Sequence, residues 1–160
     1  MKTHVIQSLK LSLMYAEANL ADLDDKQMLA VPKGFTNHPA WLVGHIIGAF
    51  SYAFEALGEK LDIPDNWESL FGMAGVSNAG PYPTKDELVT RLRNAHVRLA
   101  ELIEAATDEQ LATPTPDDNP MQSFFPRLGD LVLGATLVHA STHLGQLSAW
   151  RTAMGLTLPI

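Results

Sequence analysis

Residues 128–154, LGDLVLGATLVHASTHLGQLSAWRTAM, decide the fold. Leu128, Val132, Ala135 and Thr136 fall on one face of a helix of 3.6 residues per turn. His139 and His143 continue that face, and Gln146 and Trp150 extend it. A helix this long, with two histidines in the middle of its inward stripe, needs other helices to bury it. No alternating strand pattern competes with that reading.

Three more helices follow outward from this one. Ile6, Leu9, Leu13, Ala16 and Leu20 space a first helix over residues 3–20. Residues 22–36 hold Pro32 and Gly34 and are expected to be a connection. Asn37-His38-Pro39 opens a second helix that runs to Leu57 and stops at Gly58, with Pro39 suited to the first turn. Residues 58–83, rich in proline and glycine, predict a long crossover with one helical turn at 67–70. Thr84-Lys85-Asp86-Glu87 is a capping box, in which hydroxyl and carboxylate satisfy free backbone amides. It opens a third helix with Leu88, Leu92, Ala95, Leu99, Leu102, Ile103 and Ala106 on its stripe. Thr107-Asp108-Glu109-Gln110 repeats the capping pattern for a short turn, and residues 113–126 form a proline-rich loop.

The expectation is an all-α, four-helix bundle in one domain over residues 1–160. Its predicted topology is up-down-down-up. The short first connection suits antiparallel neighbours, and the crossover between helices 2 and 3 lets helix 3 run parallel to helix 2.

Composition narrows the function. Hydrophobic residues make up 46% and charged residues 18% of the 160, an ordinary globular balance. The net charge of −7 and the scattered lysines and arginines argue against nucleic acid as a partner. The chain has no cysteine, which excludes disulfides, zinc-thiolate sites and thiol nucleophiles of its own. Its N-terminus lacks a signal-type apolar core, and its apolar stretches are interrupted before they reach membrane-spanning length. A soluble, cytoplasmic protein with no membrane partner is the expectation.

Histidine carries the chemistry. His139 and His143, four apart on a helix, place their β-carbons about 5–6 Å apart on one face, where two imidazoles can reach one ion. His45 shares the inward face of helix 2 with Trp41, Leu42, Ala49, Tyr52 and Ala56. Three inward histidines on two helices fit a divalent metal ion with positions left open for water or substrate. A mutually hydrogen-bonded histidine cluster is the alternative, penalised whenever protons make two of the rings cationic. Gln146, one turn past His143, is placed to orient a ligand or hold a water; Tyr52 is placed to aim its hydroxyl into the cavity. Trp41 and Trp150 are candidates to wall the pocket, with core packing as the other reading.

The remaining histidines are assigned elsewhere. His38 lies about 10 Å along the axis from His45, too far to share an ion, and is expected to serve the loop or the helix start. His96 reads as a boundary residue and His4 as solvent-exposed. No carboxylate stands at ligand spacing, so the Glu-x-x-His pairs of di-iron bundles are missing. There is no Gly-rich phosphate loop and no nucleophile elbow.

Two segments carry a family resemblance. Asn37-His38-Pro39-Ala40-Trp41-Leu42-Val43-Gly44-His45-Ile46 resembles the second-helix motif of the DinB/YfiT-like metalloenzymes, in which a Trp precedes a Gly-His pair. His139-Ala140-Ser141-Thr142-His143-Leu144-Gly145-Gln146-Leu147 resembles that family's last-helix motif. The resemblance implies a four-helix bundle with a three-histidine metal site, carried here by His45, His139 and His143. It implies nickel or zinc as the metal, homodimerisation, and activities such as thiol-dependent transfer or hydrolysis on small molecules.

Helix 2 adds a reading on assembly. Val43, Ile47, Phe50, Phe54 and Leu57 give it an apolar back as well as an apolar front. Either the crossover or a second subunit must cover that back, and an isologous dimer is the expectation. The leading function is a metal-dependent transferase or hydrolase acting on a small molecule. A low-molecular-weight thiol would have to come from outside a chain without cysteine. The alternatives are a metal or small-ligand binder without turnover and a structural dimer.

Overall fold

The computed structural model describes residues 2–76 and 80–159, and among these every regular element is a helix. Residues 77–79, part of the expected crossover, lie outside that description. Four helical runs form the bundle: α1 (Lys2–Leu20), α3 (Pro39–Ala56), α5 (Lys85–Ala105), and a last run divided into α7 (Leu128–Leu133), a π turn (Gly134–His139) and α8 (Ala140–Ala153). Three short helices decorate the connections: α2 (Asp25–Met28), α4 (Trp67–Phe71) and α6 (Asp108–Ala112).

Capping chemistry sets the boundaries. Thr84 accepts a hydrogen bond from the amide of Glu87, whose carboxylate accepts from the amide of Thr84, as the sequence motif requires. Thr107 caps α6 through the amide of Gln110. The helical turn α2 falls in a segment expected to be irregular. It carries the same device in another spelling, with the Asp24 carboxylate taking the Gln27 backbone amide at 2.7 Å and the Gln27 side-chain oxygen Oε1 taking the Asp24 backbone amide at 2.9 Å. At the far end of α3, Gly58 adopts φ +82°, a left-handed conformation that glycine reaches without a Cβ penalty.

Within the bundle, α5 and the α7–α8 run each pack against both α1 and α3. Lys2 at the start of α1 donates to the carbonyls of Glu104 and Ala106 at the end of α5, so these two helices run in opposite directions. Arg151 near the end of α8 is buried against the end of α1, donating to the Asn19 carbonyl at 2.7 Å and forking onto Asp22 at 2.6 and 2.9 Å.

The back of α3 is covered within this one chain. Val43, Ile47, Phe50, Phe54 and Leu57 are all buried, mainly under α5 and the start of the crossover, so that face needs no second subunit. His96 of α5 is buried here too, edge-on to Phe50 at 4.9 Å, rather than at the boundary where its spacing put it. Its Nδ1 donates to the Leu92 carbonyl of its own helix at 2.8 Å, which lets a histidine enter the core with one nitrogen already satisfied. Among the described residues no helix is long and apolar enough to cross a membrane.

The last run departs from the single straight helix predicted over residues 128–154. Its buried stripe steps by four through Val132, Thr136, Ala140 and Leu144. On a straight α-helix each such step drifts about 40°, so the stripe would wander about 120° around the axis. A π turn holds more residues per turn and takes up that drift. The consequence is a rotation of His139 and His143. Straight phasing puts them at the centre of the core stripe, whereas here they are half-buried on its flank, facing α3.

Candidate metal centre

Three imidazoles meet where α3 faces the junction of the π turn and α8. The Nε2 of His139 lies 3.2 Å from that of His45 and 3.2 Å from that of His143. One ring nitrogen from each of the three falls within 4.8 Å of the others. His139 closes the π turn and His143 sits in the first turn of α8, so the i, i+4 pair is presented by one helical turn.

Outer hydrogen bonds fix which nitrogens face inward. The His45 Nδ1 donates to the Phe71 carbonyl at 2.6 Å, an acceptor only, so its Nε2 carries a lone pair. The His143 Nδ1 donates to Gln146 Oε1 at 2.9 Å, with the same result. His139 then faces two lone pairs with one Nε2, and a single proton there serves only one of them. A cation at the shared point satisfies all three nitrogens at once. Two of the three edges, at 3.2 Å, are close to the about 3.3 Å expected for tetrahedral ligands at about 2.0–2.1 Å from a zinc ion, and the third, His45 to His143, lies within 4.8 Å.

Electrostatics favour the metal-ready form. Burial, then the neighbouring His143 and His45, push His139 down to about 4. Burial lowers His143 as well, opposed by its hydrogen bond to Gln146 and reinforced by His45. Both rings are therefore neutral near pH 7, the state that donates to a metal. The Nδ1 of His139 is buried without a partner. Among the described residues the group holds histidine alone, with no carboxylate, as its sequence spacing indicated.

Trp41 lies against this cluster, stacked on His45 and edge-on to His143 at 6.0 Å. Tyr52 does not reach it. Its side chain is 37% exposed, about 10 Å further along α3, and it has no ring contact or hydrogen bond with the histidines. Trp150 is likewise elsewhere, fully buried with its indole donating to the Ala30 carbonyl at 2.8 Å. His38 is the N-cap of α3: its Nδ1 accepts the Trp41 amide at 3.0 Å, so the histidine starts the helix that carries the site. His4 is exposed, as expected.

Two contributors had escaped the sequence. The Phe71 carbonyl is a backbone group, and no letter of the sequence marks it. Gly44 allows the Phe71 ring to lie where a Cβ would stand, and the Trp67 indole donates to its carbonyl at 2.9 Å. Its one signal was a glycine next to a histidine inside an apolar helix.

A solved structure of a conserved protein from Enterococcus faecalis is similar in fold, with a TM-score of 0.72 at 17% identity, over 97% of this chain and 98% of that one. No curated protein matches at a significant level. The family model of the DinB superfamily matches residues 8–147, a span that takes in all three converging histidines and the helices that aim them. The chain belongs to the DinB superfamily.

Proposed function

We propose that His45, His139 and His143 bind one divalent cation, nickel or zinc, and that the protein uses it on a small-molecule substrate. The observation that carries this reading is the convergence of three Nε2 atoms with two of their tautomers fixed from outside. When bound, the ion would supply Lewis acidity and a lowered pKa for water.

The chain's own residues do the rest. Phe71 and Gln146 hold the ring protons of His45 and His143 outward, and Trp41 fixes the plane of His45. His143 is half-buried and Gln146 exposed, so the cluster opens to solvent on the α8 side, where substrate enters. Trp41 offers that substrate an apolar wall and Gln146 an amide. The reaction we favour is thiol-dependent transfer or hydrolysis, with the thiol supplied as a cosubstrate because the chain has none. A binder without turnover is the second reading, supported by the same histidines.

Metal analysis of the purified protein beside His143→Ala tests the site. Equal metal content in the two samples overturns it. A panel of electrophiles and esters, with and without low-molecular-weight thiols, then separates enzyme from binder. Turnover that needs both metal and thiol supports the transferase, and silence across the panel supports the binder.

A further inference from the structure

The crossover reaches the histidine cluster through one short element. Helix α4 has only five residues, too few to hold together alone, and stays helical by docking on α3. Three contacts make the dock. The Phe71 ring occupies the space over Gly44 that any Cβ would fill. The Trp67 indole donates to the Gly44 carbonyl at 2.9 Å and packs on Gly48, while its ring meets Phe71 at 4.5 Å. The Phe71 carbonyl accepts the His45 Nδ1 proton at 2.6 Å.

That last contact follows from where α4 stops. The final carbonyls of a helix have no partner within it. The chain leaves α4 at Gly72 in an extended conformation, with the Gly72 amide turned back to Glu68, so the Phe71 carbonyl is left pointing out of the helix end. His45 fills that vacancy. A carbonyl accepting the distal N–H of a metal-binding imidazole fixes its tautomer and raises its basicity.

We infer that α4 is a latch thermodynamically coupled to the metal centre, with Gly44, Trp67 and Phe71 as positioning residues for His45. This rests on the metal reading above. Metal draws on a His45 whose Nδ1 is bonded to Phe71, so loading the site tightens the latch, and closing the latch raises metal affinity by the same factor. Gly44 is the pivot, since it alone allows the Phe71 ring to come close enough for the carbonyl to meet the imidazole.

Zinc titration against a chromophoric chelator, with hydrogen exchange of peptides covering residues 67–71, tests this in the full-length chain. Wild type is expected to bind zinc and to exchange more slowly over 67–71 when zinc is added. His143→Ala should lose that slowing. Gly44→Ala, which keeps all three histidines, should bind zinc about 10–100-fold more weakly, the usual effect of losing an outer partner. Trp67→Phe keeps an aromatic ring against Phe71 but removes the bond to Gly44 and the pyrrole contact on Gly48; it should bind several-fold more weakly, and it decides the matter should Gly44→Ala fail to fold. A folded Gly44→Ala or Trp67→Phe with wild-type zinc affinity overturns the latch while leaving the metal site standing. Exchange over 67–71 that ignores zinc does the same. A wild type that binds neither zinc nor nickel overturns both.

Discussion

The indole of Trp41 lies flat on the imidazole of His45, with ring centroids 4.4 Å apart and planes 14° apart. The stack restricts rotation of His45 from one side while Phe71 holds it from the other. Trp41→Ala is expected to cost about 3–5 kcal/mol of stability, in the range of large aromatic truncations. Trp41→Phe should recover most of it. Zinc affinity should follow the same order, because a freed His45 ring must be re-ordered on binding. Denaturant unfolding and zinc titration of both variants check this; equal affinities would show that the indole orients nothing.

His96 should make the protein acid-sensitive. Burial holds its pKa below the usual histidine value, opposed by its bond to Leu92 and by the charge of Glu17, and its Nε2 is buried without a partner. The unfolded chain therefore takes up a proton near pH 6.5 that the folded chain refuses. Stability is full above about pH 6.5 and declines as pH falls below it toward the folded pKa. His96→Leu removes both the titration and the orphaned nitrogen. It should be at least as stable as wild type at pH 7, with a flatter decline in acid, as unfolding midpoints across pH would reveal.

The Arg151 side chain is only 2% exposed, while its partner Asp22 is 55% exposed. Removing either end does different damage. Asp22→Ala leaves a buried guanidinium with carbonyl partners only, at Asn19 and Thr157. Arg151→Leu leaves a solvated carboxylate and two carbonyls without their donor. Asp22→Ala is expected to cost about 2 kcal/mol, below the 3–5 typical of fully buried pairs because water reaches the carboxylate. Arg151→Leu should cost less than Arg151→Ala, since leucine retains apolar packing. Chemical denaturation of the three variants tests the ordering.

Deletion of single residues distinguishes the π turn from the helix around it. Val138 lies in that turn and is 68% exposed. Its removal should convert the turn to ordinary α-helix with both flanks kept in phase, preserving fold and zinc binding. Removal of Ala149 from α8 should instead rotate Trp150 and Arg151 by about 100° out of the core and unfold the chain. Circular dichroism and zinc titration of the two deletions read this out; an unfolded Val138 deletion would refute the phasing argument.

How much of this was legible in the sequence follows from what each signal depends on. Helix ends governed by local side chains, such as Thr84 with Glu87 and Pro39 at the first turn, were readable because cap and partner lie within four residues. Asp24 and Gln27 form the same box, but the proline and glycine that follow them read as a plain connection. The three histidines were readable as a set because their spacing and apolar neighbours survive in one dimension. Their rotation to the flank was not, because a step of four fits a straight helix as well as a widened one over two turns. His96 was misplaced for a related reason: its partner is its own helix, so no distant residue advertised its burial. Phe71 acts through its backbone, which every residue shares.

The widened turn also bears on how relatives of this chain should be compared. It holds one residue more than a straight helix would need between Val132 and Leu144. A homologue with an unbroken last helix would therefore match this chain only with a one-residue gap between Gly134 and His139. Aligned without it, that homologue's histidines would fall one position away from His139 and His143, and a preserved site would be read as lost.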